Sequence, residues 1–190
     1  MRRLAIWILG LMGWKVTQDM PQGVSKAVVV MAPHTSNWDF VYGRLGFAKW
    51  GITPRMMIKK ESFFFPLGVV LRALGAFPID RGFSTGTIKR VTALINESDS
   101  FFLLIAPEGT RKLAKNWKKG FYFVAQQAKV PIICGYLDYK TKTGGMGLML
   151  YPSGDYDADL KKIQDFYKDK QAKYPEKFSL SPENLKKNQG

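Results

Sequence analysis

Ala27-Val-Val-Val-Met-Ala-Pro-His-Thr-Ser-Asn-Trp-Asp-Phe40 is the stretch on which the fold turns. Residues 27–31 are continuously apolar and rich in valine, which reads as a buried strand. Pro33 disfavours helix for Ala32, so the strand gives way to a loop there. Ser36-Asn-Trp-Asp39 fits Ser-x-x-Asp at a helix start, a variant of the capping box, with Ser36 as N-cap and Asp39 at N3. A carboxylate at N3 points back toward the residues just before the helix, where His34 lies. The spacing therefore sets an acid beside an imidazole at a strand-to-helix turn. Imidazole side chains titrate near neutrality, and a neighbouring acid fixes the tautomer and steadies the charged form, as a general base requires. Taken alone, the spacing leaves a plainer reading open. In that reading Asp39 only caps the helix and His34 is an ordinary loop histidine.

Outward from this turn, strands and helices alternate. Apolar runs predict strands at residues 54–59, 101–106 and 130–139, and residues 76–82 read as a short strand and a turn. Helical spacing predicts helices at residues 40–50, 67–74, 85–96, 120–129 and 157–167. Thr141-Lys-Thr-Gly-Gly145 resembles a hairpin turn, with residues 147–151 returning as a strand. This alternation argues an α/β sandwich, a mixed and partly parallel sheet flanked by helices. Its polar punctuation falls where strands end, at His34, Lys60, Arg81, Glu108 and Arg111, and ligands of open α/β sheets gather at such ends.

The N-terminal segment, residues 1–16, carries Arg2 and Arg3 before an apolar run at residues 4–14 that includes Trp7 and Trp14. Eleven residues make a helix of about 16 Å, while crossing a bilayer takes about 20 residues. The segment suits a helix lying in the membrane interface, on the inner, basic side. A buried N-terminal helix is the alternative; a signal peptide lacks a small-x-small cleavage site here. Residues 17–170 read as one domain, and residues 171–190 as a polar, loosely packed tail.

The chain of 190 residues is 46% hydrophobic and 23% charged, which places it among globular proteins. Its net charge of +14, from 29 basic against 15 acidic residues, asks for an anionic partner: nucleic acid, an acidic membrane or a phosphorylated substrate. No nucleic-acid motif accompanies the charge. A single cysteine, Cys134, excludes an internal disulfide and reads as a small core residue. One histidine and one cysteine argue against zinc, and no acidic cluster points to another metal. Phe63, Phe64, Phe65, Trp38 and Phe40 suit either an acyl groove or core packing. The basic run Arg111, Lys112, Lys115, Lys118 and Lys119 suits anionic headgroups or an acidic donor, or a solvated face.

Four blocks in order carry a resemblance: His34-x4-Asp39, Phe77-Pro-Ile-Asp-Arg81, Pro107-Glu-Gly-Thr-Arg111 and Val130-Pro-Ile132. They resemble the glycerolipid acyltransferase family, the 1-acylglycerol-3-phosphate acyltransferases among them. The resemblance implies acyl transfer from acyl-CoA or acyl carrier protein to the hydroxyl of a lysophospholipid, by a peripheral or monotopic enzyme on the cytoplasmic face of the membrane. It implies no resident cofactor. His34 matches the family's base and Asp39 its partner. Arg81 and Arg111 match the basic positions for the acceptor's phosphate or other anionic group, and a structural pair with Asp80 is the plainer reading of Arg81. Glu108 matches the acidic position, there to bind the acceptor's hydroxyl or to hold Arg111. The N–H of Gly109 or Thr110 is placed to meet substrate, and Lys60 resembles a lysine near the phosphate site. Two features depart from the pattern. Pro33 stands before the histidine where many members have asparagine, and Ile132-Ile-Cys-Gly135 lacks a second proline. They leave another lysophospholipid, or a lyso-aminolipid, open as acceptor. A non-catalytic protein that binds lipid or nucleic acid is the rival class.

Overall fold

In a computed structural model of the chain, which describes residues 2–79 and 84–187, the valine run forms the centre of the sheet. Ala27, Val28, Val29 and Val30 are all fully buried. In chain order the elements are α1 (Arg2–Leu11), β1 (Lys15–Gln18), β2 (Lys26–Met31), α2 (Asn37–Trp50), β3 (Arg55–Lys59), α3 (Leu67–Ala73), β4 (Ala76–Ile79), α4 (Thr85–Glu97), β5 (Phe101–Ile105), α5 (Gly120–Ala128), β6 (Ile132–Asp138), β7 (Thr143–Leu150), α6 (Tyr156–Tyr167) and α7 (Pro182–Lys187). The seven strands lie in the order β1-β7-β6-β2-β5-β3-β4. All neighbours pair in parallel except β6 with β7. The fold is the α/β sandwich on a mixed sheet that the alternation predicts.

Side-chain alternation along β2 assigns the layers. Ala27 and Val29 pack with Phe47 of α2 on one face. Val28 and Val30 pack with Val91 of α4, Phe121 of α5 and Ile163 of α6 on the other. The loop after β2 leaves toward the first face, and the loop after β5 toward the second. Adjacent strands whose loops part in this way open a crevice at their carboxyl ends. Register makes the crevice specific: Val30 pairs with Ile105 and with Cys134, so the loops after β5, β2 and β6 emerge side by side.

Three expectations change. The hairpin turn sits one step earlier than Gly144-Gly145, because β7 already begins at Thr143. Those glycines lie within β7 beside β1, which the apolar pattern does not reveal; a Cβ on Gly145 would stand 2.6 Å from the Gln18 carbonyl oxygen. The C-terminal segment is packed, not loose. Phe178 is fully buried in the main core with Ala172 and Leu180, and the Asn184 amide donates to the carbonyls of Phe178 and Glu176 at 2.8 and 3.1 Å. The aromatics at Phe64 and Phe65 are not core: both are exposed, Phe65 by 86%.

Helix α1 divides its faces. Ala5 and Leu9 are buried, while Leu4, Ile6, Trp7 and Leu11 face outward. Among the described residues no helix is long and apolar enough to cross a membrane.

Candidate active site

The capping geometry builds the first half of the site. Ser36 holds an extended backbone, and its hydroxyl oxygen accepts the Trp38 N–H at 3.2 Å. Asp39 Oδ2 accepts the N–H of Thr35 and of Ser36, each at 2.8 Å. The same oxygen lies 3.3 Å from His34 Nδ1. A proton on Nδ1 facing that carboxylate leaves the Nε2 lone pair as the basic position. The His34 side chain is 29% exposed and that of Asp39 only 5%, so the imidazole meets solvent while its partner does not. Asp39 Oδ1 accepts the Tyr139 hydroxyl at 2.6 Å. Burial pushes the Asp39 carboxyl up, but the bonds from His34, Tyr139 and Ser36 outweigh it and hold the group below its ordinary value. Asp39 is therefore an anion at neutral pH.

Strand β5 supplies the second half. Glu108 is buried, and its two carboxylate oxygens accept the His34 N–H at 3.0 and 3.3 Å. It holds the backbone of the histidine itself, a role outside the two the resemblance suggests. Burial pushes its carboxyl up to about 8; the His34 N–H opposes the rise and the nearby Asp39 charge adds to it. Gly109 follows at φ +68°, a left-handed conformation that suits glycine, and turns the chain toward Arg111. Its N–H is donated to the Ala106 carbonyl at 3.1 Å and so is spent within the turn. Thr110 Oγ1 accepts the Lys112 N–H at 3.2 Å.

These loops border a cavity of about 1260 Å³. His34, Gly109, Thr110 and Arg111 line it, with Lys118 and Lys119 adding positive charge. Met57, Ile79, Ile88, Leu104 and Phe123 make an apolar wall. Six of the residues singled out in the sequence thus converge: His34, Asp39 and Glu108 in one bonded group, Gly109, Thr110 and Arg111 on the same cavity. Lys60 is exposed at the end of β3, two residues before Ser62 of the cavity wall. Arg81 lies outside the described residues, between Ile79 and Thr85, which both line the cavity. Cys134 is fully buried and burial pushes its thiol up to about 12, so it packs as a core residue.

Sequence reasoning passed over Tyr139, since an aromatic at the end of an apolar strand reads as core. It also passed over Thr35, whose hydroxyl oxygen accepts the Tyr174 N–H at 3.3 Å and ties the C-terminal segment across the histidine loop. The bonded group and the cavity together have parts that suit acyl transfer to a hydroxyl: an imidazole beside a buried carboxylate, cations that suit an anionic substrate, and an apolar wall.

Comparison with known proteins agrees. Over 107 residues the chain is 36% identical to a 1-acyl-sn-glycerol-3-phosphate acyltransferase of Streptococcus pneumoniae; the alignment takes in 55% of this chain but only 39% of that protein. The crystal structure of the 1-acyl-sn-glycerophosphate acyltransferase PlsC from Thermotoga maritima shares the fold, with a TM-score of 0.58 and 14% identity over 90% of this chain and 80% of that one. The match to the sequence model of the Acyltransferase family runs over residues 14–138 and so contains the histidine, its carboxylate and the whole Glu108 turn: this chain belongs to the Acyltransferase family.

Proposed function

We propose that the protein transfers a fatty acyl group from a thioester, acyl-CoA or acyl carrier protein, to the free hydroxyl of a lysophospholipid such as 1-acylglycerol-3-phosphate. One observation carries the reading. The only histidine of the chain borders the cavity with Nδ1 3.3 Å from a buried carboxylate that other bonds hold in place. That is the geometry of a base with a fixed tautomer.

The acceptor's hydroxyl gives its proton to His34 Nε2 as the oxygen attacks the thioester carbonyl. Asp39 stabilises the imidazolium that results. The tetrahedral adduct collapses, the C–S bond breaks, and the imidazolium returns the proton to the departing thiolate. The products are the new ester and the free thiol. The protein needs no acyl-enzyme, in keeping with a buried and protonated Cys134. Arg111, Lys118 and Lys119 supply charge for the acceptor's phosphate; the resemblance assigns Arg81 to the same group. With the Gly109 N–H spent, the Thr110 N–H is our candidate to meet the substrate. The exposed apolar residues of α1 and the net charge of +14 support peripheral association with the cytoplasmic face of an acidic membrane.

The test is thiol release from acyl-CoA with vesicles holding 1-acylglycerol-3-phosphate. His34→Ala is expected to lower turnover by about 10²–10⁴-fold while vesicle binding persists. Undiminished turnover in His34→Ala ends the proposal. A native chain that binds the vesicles but releases no thiol favours the non-catalytic lipid-binding class.

A further inference from the structure

We propose that Tyr139 is a positioning residue for the His34–Asp39 pair, and that Trp14 and Tyr42 hold its ring in place. The inference rests on His34 being the base. Asp39 has two oxygens with separate duties. Oδ2 takes the two N–H groups of the cap and faces His34 Nδ1. The torsion that turns a carboxylate about its Cβ–Cγ bond is soft, so fixing one oxygen does not fix the plane. The Tyr139 hydroxyl, donated to Oδ1 at 2.6 Å, supplies the second point. With both oxygens held, the lone pair of Oδ2 stays aimed at the imidazole.

Tyr139 reaches Asp39 across a separation of 100 residues and owes nothing to the α2 cap. It stands one residue past β6, and its N–H is donated to the Gln171 carbonyl at 2.9 Å. The ring is clasped from the side. Trp14 meets it edge-on with centroids 4.9 Å apart, and Tyr42 does so at 6.1 Å. Trp14 in turn stacks on Tyr42 at 4.4 Å. Trp14 is buried and lies between α1 and β1. The N-terminal segment therefore touches the catalytic pair through three packed rings. Burial also raises the phenol well above its ordinary range, so the hydroxyl remains a donor at working pH.

A single histidine makes the test direct, because ¹⁵N-histidine labelling reports one ring. Tyr139→Phe removes one oxygen and keeps the ring. The expected result has two parts. The native imidazole gives the spectrum of one Nδ1–H tautomer, and Tyr139→Phe gives a mixture. The kcat for thiol release from acyl-CoA in the presence of 1-acylglycerol-3-phosphate falls about ten- to a hundredfold, the loss of a bond to a charged group, while both KM values stay within about twofold. Trp14→Phe, which keeps a smaller ring, is expected to move both readouts the same way by less.

A native imidazole spectrum with native kcat in Tyr139→Phe overturns the proposal. So does a lower kcat with an unchanged imidazole, which would mark a general loss of stability, and so does a higher KM with kcat unchanged, which would mark a substrate contact. If Tyr139→Phe moves both readouts and Trp14→Phe moves neither, the clasp is overturned and the positioning by Tyr139 is upheld. If His34→Ala retains turnover, the general-base reading fails by itself, and the imidazole spectrum of Tyr139→Phe still reports whether the phenol orients the ring.

Discussion

Glu108 binds a proton through the neutral range because folding removes it from water, with burial raising its carboxyl to about 8 against an ordinary 4.5. The native state therefore keeps a proton between those values that the unfolded chain releases. Stability from this group is complete below about 4.5 and is lost as pH rises toward about 8. Asp39 works the other way and outside that window: its carboxyl lies below 3.8, so its contribution disappears only in acid. Glu108→Gln still offers an oxygen to the His34 N–H but carries no titrating proton. Each tenfold difference in proton affinity between the folded and unfolded chain is worth about 1.4 kcal/mol. Between pH 5 and pH 8 the native protein is therefore expected to lose a few kcal/mol more than Glu108→Gln, as read from urea midpoints at each pH. Parallel profiles in the two proteins would remove the buried proton. The His34–Asp39 relation is legible in the sequence because a capping rule governs six consecutive residues. The Glu108 contact is not. It joins positions 74 apart, and only the pairing of β2 with β5 brings them together.

Elements declare themselves where one physical period dominates. β2 and β5 are uninterrupted apolar runs, and α4 places Ile88, Val91 and Ile95 on one buried face, so each is legible. β1 is a short strand at the sheet's edge with only Val16 to mark it, and its presence explains the glycines that otherwise resemble a turn. The C-terminal segment hides its anchors among lysines and prolines at irregular spacing. Phe178 is the chief of them, fully buried while most of its neighbours in sequence are polar. Phe178→Ala is expected to destabilise the protein by about 3–5 kcal/mol, the usual cost of emptying a buried aromatic site. A shift in the urea midpoint measures it. A change below about 1 kcal/mol would mean that the segment is held by its hydrogen bonds and not by the core.

At the scale of the molecule much of the exposed apolar surface is carried by α1, α2 and α3, with Phe123, Leu113, Met149 and Tyr151 exposed elsewhere. The crossovers β2-α2-β3 and β3-α3-β4 step the same way along the sheet, so the right-handed rule puts α2 and α3 on one face. Helix α1 packs on α2. That face carries Leu4, Trp7 and Leu11 of α1, Trp38, Phe40 and Val41 at the start of α2, and Val69 and Val70 of α3, all exposed. Trp38 lies four residues from His34 in the chain. Two forces hold such a face to a membrane: burial of apolar area, about 1.5–3 kcal/mol for each large side chain, and attraction of cations to acidic lipid. They separate by experiment. Trp7→Asp with Leu11→Asp is expected to lower partition onto acidic vesicles at least tenfold, at a fixed salt concentration, while turnover on short-chain, monomeric donor and acceptor stays native. Raising ionic strength shortens the reach of charge below about 10 Å and weakens the binding of both proteins by a similar factor. If the double variant binds vesicles as the native protein does, α1 is a packed helix and nothing more, and the membrane meets some other part of the surface.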